Sequence, residues 1–225
     1  MPAAFDLRSE LRQAIQGLTW DLKGILLTSG VVIPIPAESR VVTAILQSLA
    51  IALLKDWGKA KNIKVQDFPL ETRGYPDVAL SDGPLGDHMI ALDIKSARFL
   101  GDDKVSRMTL GTYDGYFLHP NEKLLHQKKM SYDDYTEHWV VGIVYEWHPE
   151  EDAQRLVKIV EFVVGEKWQL ASRVSGSGDT ANMGAIDSLS KLRSLKSTFR
   201  DEDEFEKYWR KYALEHKRKR TRAPR

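Results

Sequence analysis

The sequence predicts a single domain of mixed α/β class, and three observations predict it. Its 225 residues, 42% hydrophobic and 29% charged, suffice for one sizeable core and fall short of two. Apolar residues recur with helical period at both ends of the chain and in one long segment near its start, whereas runs in the middle alternate as strands do. Cysteine is absent, so disulfides, thiolate zinc sites, iron–sulfur clusters and thiol nucleophiles are excluded, which suits a reducing cytoplasm.

The elements follow in order. Leu7, Leu11, Ala14, Ile15 and Leu18 make one stripe of a short amphipathic helix. Trp20 to Ile35 is apolar and β-branched around Ser29-Gly30, the pattern of a hairpin that Pro34 and Pro36 end. From Ser39 to about Lys59 the set Val42, Ile45, Leu46, Leu49, Leu53, Leu54 and Trp57 predicts a central core helix with Gly58 near its stop. Ile63 to Phe68, Asp77 to Leu80 and His88 to Ala97 read as three strands, the second ending at the turn SDGPLGD. His138 to Trp147 and Leu156 to Val164 are further strands, the latter able to run into a helix at Glu166 to Trp168, and Gly176-Ser177-Gly178 is a loop. The last helix has Asp201 or Asp203 as its cap and an aromatic stripe of Phe205, Tyr208, Trp209 and Tyr212, which reads as core packing rather than a base-stacking platform.

Charge is unevenly spread. The last ten residues, HKRKRTRAPR, hold six basic and no acidic residues, leaving 27 basic against 32 acidic, or −5, for the rest. Such a tail tracks phosphates or is simply solvated, and composition leaves both open. No segment reaches about 18 uncharged apolar residues, and Asp6, Arg8 and Glu10 stand where a signal peptide needs its apolar stretch. The expectation is neither a membrane span nor a secretory leader.

The chemistry gathers on one strand. A period of two sends Met89, Ala91, Asp93 and Lys95 to one face of His88 to Ala97, and Ile90, Leu92, Ile94 and Ser96 to the other. Both faces begin apolar, which predicts a buried central strand, where either charge alone is costly and requires a partner or a metal. Asp77, behind Pro76 at the start of the preceding strand, is the natural third member, brought beside Asp93 by a hairpin-like connection. Two carboxylates and a lysine at one point suit phosphodiester hydrolysis. Asp77 and Asp93 offer the hard oxygens that Mg²⁺ prefers, with the Ile94 backbone carbonyl as a further ligand. The metal lowers the pKa of a bound water and offsets transition-state charge, while Lys95 positions or helps deprotonate that water.

Pro76-Asp77, fifteen residues, then Asp93-Ile94-Lys95 fits the PD-(D/E)XK nuclease signature. The pattern alone has little specificity, because Asp21-Leu22-Lys23 and Asp102-Asp103-Lys104 also match Asp-x-Lys, and a structural ion pair between Asp93 and Lys95 is the competing reading. The six histidines are scattered with no HxH or HExxH spacing, and no Walker loop or GxSxG motif is present.

Beyond the motif, the chain resembles the EcoRV family of type II restriction endonucleases. The resemblance covers most of the chain and rests on YPDVAL, ALDIKS, TLGTY, HWVVGIVY, EKWQLA, GSGDTANMGAI and DEDEFEKYWRKY, in the family's order and at similar spacing. It implies a restriction-endonuclease-like fold with a central mixed β-sheet flanked by helices. It implies one domain over residues 1–215, with a dimerisation hairpin and helix at about 20–60, catalytic core strands at 63–97, a recognition loop at 176–182 and a basic tail at 216–225. A homodimer would grip double-stranded DNA, each copy reading one half of a palindrome, and cut at the centre to leave blunt ends with 5′-phosphates. A DNA methyltransferase protecting the host is implied as a counterpart, not as a physical partner.

On this resemblance Gly176, Ser177, Gly178, Asp179, Thr180 and Asn182 enter the major groove, where glycines permit close approach and short polar side chains read base edges. Thr72 and Arg73 belong to a second loop that reaches the minor groove. Three departures matter. The family has an asparagine where this chain has Asp179, and a carboxylate accepts but cannot donate, so the second base pair of a GATATC-like target stays open. Gln47 stands in place of a glutamate near the site and offers a metal only an uncharged oxygen. The segment after Tyr113 and the tail do not follow the family. Two competing readings remain, a structure-selective nuclease of the same fold and a DNA-binding protein that has lost cleavage.

Overall fold

In the computed structural model, which describes residues 5–68, 75–118, 131–176 and 181–222, α1 (Leu7–Ile15) opens on Asp6, whose carboxylate accepts from the backbone N–H groups of Arg8 and Ser9. Two donors that a first helical turn leaves free are thereby satisfied. β1 (Ile25–Leu26) and β2 (Val32–Ile33) pair antiparallel around a turn in which Gly30 has φ 82°. This is the predicted hairpin with a far shorter ladder, and its apolar side chains Ile25, Leu26, Val31, Val32 and Ile33 are exposed.

The long helix α2 (Ser39–Lys61) outruns its predicted end. Gly58 does not stop it: a Cβ there would meet Val65 Cγ2 at 2.4 Å, so the glycine lets the next strand pack close, and Asn62 at φ 58° ends the helix instead. By length and composition α2 is apolar enough to cross a membrane. Its apolar residues serve two sides, with Val42, Leu46, Ala50 and Leu54 buried in the core and Val41, Ile45 and Leu49 lining an open groove with Ala44.

β3 (Lys64–Asp67), β4 (Val78–Ser81) and β5 (Ile90–Gly101) form an antiparallel meander, and β6 (Lys104–Val105) folds back on the end of β5. β7 (Thr109–Thr112) leads into α3 (Tyr113–Leu118). β8 (Glu137–Trp147) then lies parallel to β5 and β9 (Val157–Glu166) antiparallel to β8, giving a mixed sheet of order β3-β4-β5-β8-β9 with β6 at the side. The strand runs straight into α4 (Lys167–Leu170), as its sequence predicts.

β10 (Ala171–Ser175) and β11 (Asn182–Ala185) form a second hairpin, and β11 also pairs with β7. This small sheet was not anticipated: TLGTY is too short and too rich in glycine and threonine to show alternation, and β10 and β11 flank what reads as a loop. α5 (Leu189–Arg193) precedes α6 (Glu202–Arg222). Of the two candidate caps Asp201 is the one used, its carboxylate accepting from Glu204 N–H at 2.8 Å. Phe205 and Trp209 are buried and Tyr113 stacks on Trp209, so the aromatic stripe is core packing, as expected. The helix continues through the basic residues as far as Arg222, so most of the tail expected at 216–225 is helical.

Alternation along the main sheet separates two cores. Val78, Leu80, Ile90, Leu92, Ile94 and Val141 face α1 and α2, whereas Ala79, Ala91 and Val140 face α3, α6 and the small sheet. Strand β5 is therefore central and covered on both faces, and Asp93 is directed to the second side.

Candidate active site

The ladder between β4 and β5 stops at Val78 opposite Leu92, so the next position in register sets Asp77 opposite Asp93. Pro76, which has no N–H to give, closes off the strand there. With the backbone pairing ended, the side chain of Asp77 takes its place: Ile94 N–H donates to Asp77 Oδ2 at 2.8 Å. Lys95 Nζ donates to the same oxygen at 2.9 Å and lies 3.3 Å from Asp93 Oδ1. The three predicted residues thus meet at one point, where β4 begins beside β5, which itself runs past the expected Ala97 to Gly101.

A fourth charge was not predicted. Lys167, the first residue of α4, is 1% exposed and sets its Nζ 3.2 Å from Asp93 Oδ2. The ammonium lies over the rings of Tyr75 at 4.1 Å and Tyr116 at 4.8 Å. His138 packs on the same group, its ring stacked on Tyr132 with centroids 3.8 Å apart and its Nδ1 bonded to the Tyr75 hydroxyl.

The electrostatics follow from burial and these partners. Burial raises the Asp77 carboxyl above its usual range against the opposing pull of Lys95. Burial pushes Asp93 the same way, but Lys167 and Lys95 together overcome it and hold that carboxyl low. Burial alone would lower the Lys95 amine, and the two carboxylates overcome it and raise it. Burial lowers Lys167, with Asp93 opposing. His138 is held neutral by burial and by the Lys167 charge, so it is a packing residue, as its spacing suggested.

The family of the restriction endonuclease EcoRV matches residues 16–224 of the chain. The chain belongs to the EcoRV restriction endonuclease family. It is 26% identical over 222 residues to the type II restriction enzyme EcoRV of Escherichia coli, a match that covers 92% of this chain and 89% of that protein. Membership makes it a nuclease that acts on duplex DNA, in a family whose enzymes depend on divalent metal ions.

The residues present fit such an ion in one respect that the geometry supplies. Lys95 ammonium already bridges Asp77 and Asp93, so a cation is accommodated between their oxygens. Among the described residues no group of three or more histidines and carboxylates converges. Two carboxylates leave most of a coordination shell to backbone carbonyl, water or phosphate oxygens, which is how Mg²⁺ is commonly held.

The other expected site residues of this family member are placed as follows. Thr43 Oγ1 and Ser96 Oγ, 3.0 Å apart, fasten α2 to β5, and Gln47 lies one turn further along that helix, half-buried and with no bond to either aspartate. Gly176 N–H donates to the Asn182 carbonyl at 2.7 Å, closing the β10–β11 hairpin. Ser177, Gly178, Asp179 and Thr180, and Thr72 and Arg73, lie outside the described residues. Asp103, in the rival Asp-x-Lys match, is engaged elsewhere, accepting from the Ser188 and Ser190 hydroxyls at 2.6 and 2.8 Å.

Lys167 escaped the sequence reading because an isolated lysine at a strand–helix junction is normally solvated. Its one signal is position: it follows VEFVVGE and lies three residues before the fully buried Leu170 and Ala171.

Proposed function

We propose that the protein is a homodimeric, Mg²⁺-dependent type II endonuclease that cuts both strands of a short palindrome and leaves blunt ends with 5′-phosphates. The observation that carries this reading is the convergence of Asp77 and Asp93 on Lys95, at 2.9 and 3.3 Å, where the β4–β5 ladder ends. Asp77 and Asp93 would hold Mg²⁺ with the Ile94 backbone carbonyl, which faces the same strand edge as the N–H bonded to Asp77. When bound, the metal supplies an acidified water and offsets charge on the phosphate. Lys95, between the carboxylates, donates to the attacking water and to the phosphate oxygen on which negative charge develops. Gln47, without charge, does not replace a third carboxylate.

The reading of a dimer is supported by apolar surface on two consecutive elements. The exposed hairpin at Ile25 to Ile33 and the groove lined by Val41, Ala44, Ile45 and Leu49 belong to consecutive elements, and a two-fold axis would cover both at once. The β10–β11 hairpin would carry Gly176, Ser177, Gly178, Asp179, Thr180 and Asn182 to the major groove, with Thr72 and Arg73 reaching the minor groove. The target is GATATC-like with its second base pair set by Asp179, which accepts but does not donate. A methyltransferase of the same specificity would protect the host.

Digestion of a long duplex of known sequence in Mg²⁺, with every fragment end sequenced, tests this. Blunt ends sharing one palindrome are expected. Ragged cuts would indicate a structure-selective nuclease, and no cleavage in Mg²⁺ or Mn²⁺ a DNA binder.

A further inference from the structure

The four charged groups in contact at the site are Asp77, Asp93, Lys95 and Lys167, two of each sign. Lys95 has its side chain 22% exposed, whereas Lys167 is sealed at 1%. Asp93 Oδ2 and Lys167 Nζ are both buried without a well-directed hydrogen bond, so their 3.2 Å contact is an ion pair held by charge and packing. The ring faces favour the charged form against burial: two tyrosines lie within 4.8 Å of the ammonium, with a neutral imidazole close by. A lysine in this position cannot reach solvent or substrate; it can act only on Asp93.

We propose that Lys167 is an internal counter-ion for Asp93, a positioning residue that engages Oδ2, leaves Oδ1 to the side of Lys95, and keeps the DNA-free site electroneutral. A divalent cation entering that pocket meets as much positive as negative charge. It is held firmly only when a third anion, the scissile phosphate, arrives with it. The inference rests on the reading that Asp77 and Asp93 hold the metal, and it adds a reason for metal and DNA to bind together. A role confined to folding makes the opposite forecast, since loosening Asp93 would weaken metal binding or leave it unchanged.

The test is Mn²⁺ titration of the full-length, DNA-free protein, followed by the electron paramagnetic resonance of free Mn²⁺. Wild type is compared with Lys167→Met, which fills the tyrosine cage without charge, and with Lys167→Gln, which keeps a polar end; near-UV circular dichroism establishes folding. Tighter Mn²⁺ binding by about tenfold or more is expected once a unit positive charge is removed a few ångströms from the ion. Equal or weaker binding in a folded variant overturns the proposal. In the unaltered protein, Mn²⁺ affinity must rise on adding a recognised duplex with a non-cleavable scissile bond, and equal affinity with and without it is equally decisive against the idea. The variant titration uses no DNA, so absence of cleavage by wild type refutes the nuclease reading without touching it.

Discussion

Lys95→Met is the perturbation that separates catalysis from scaffold most sharply. Methionine keeps the stem and removes an ammonium that lies 2.9 Å from Asp77 and 3.3 Å from Asp93. Loss of one preorganised donor costs about 10²–10³ in rate and loss of proton-transfer assistance about 10²–10⁴, so single-turnover cleavage should fall by about 10³. Stability falls as well. Breaking a buried pair costs about 3–5 kcal/mol, and partial exposure of Lys95 and Asp77 brings this to about 2–3 kcal/mol. The cost depends on pH with a definite sign. Asp77 already titrates above an ordinary carboxyl, and without Lys95 it rises further. The folded state then keeps a proton that the unfolded chain releases, so the deficit is small near pH 4 and grows as pH rises toward 8. Urea unfolding at pH 5 and 8, beside single-turnover plasmid cleavage and binding in Ca²⁺, measures all three effects. Cleavage within tenfold of wild type would refute the role given to Lys95, whatever happened to stability.

Leu26, 70% exposed on the β1–β2 hairpin, supports nothing in the monomer, so Leu26→Asp should halve the sedimenting mass at micromolar concentration and leave the melting temperature of the subunit little changed. Glu202 is pushed up to about 7 by burial and then by Glu206 and Glu166; a raised carboxyl costs stability as pH rises through that value. Glu202→Gln should therefore stabilise by about 1–2 kcal/mol at pH 8 and by much less at pH 5, as read from urea melts. Asp201→Ala removes the cap of α6 and should cost about 1 kcal/mol in the same assay.

The parts of the site that follow strand periodicity were legible from residues alone. Asp93 and Lys95 stand on one face because strands alternate, and Asp77 joins them because a two-strand meander with register Val78 opposite Leu92 leaves it facing Asp93. The long helices were legible for the same reason, with errors only at their ends, where Asn62 rather than Gly58 supplies the left-handed turn. What stayed hidden depends on contacts distant in sequence. Lys167 meets Asp93 only because β9 lies beside β8 and delivers the residue just after its end under the tyrosines at 75, 116 and 132. The small sheet assembles β7 with β11 across seventy residues, and short strands of glycine, threonine and asparagine announce no face.

The position of Lys167 also bears on how recognition and chemistry are joined. It opens α4, a single turn that continues without a break into β10 and so to Gly176 at the base of the hairpin proposed to read DNA. Leu170 and Ala171 between them are fully buried, and Ile186 N–H donates to the Leu170 carbonyl at 2.9 Å. Lys167 and the proposed reading hairpin are thus joined by one continuous stretch of ten residues, buried at Lys167, Leu170, Ala171 and Gly176 and exposed at Arg173 and Val174. On the proposals above, a hairpin drawn into a groove would bear on Lys167 through Leu170 and Ala171, the fully buried part of that stretch.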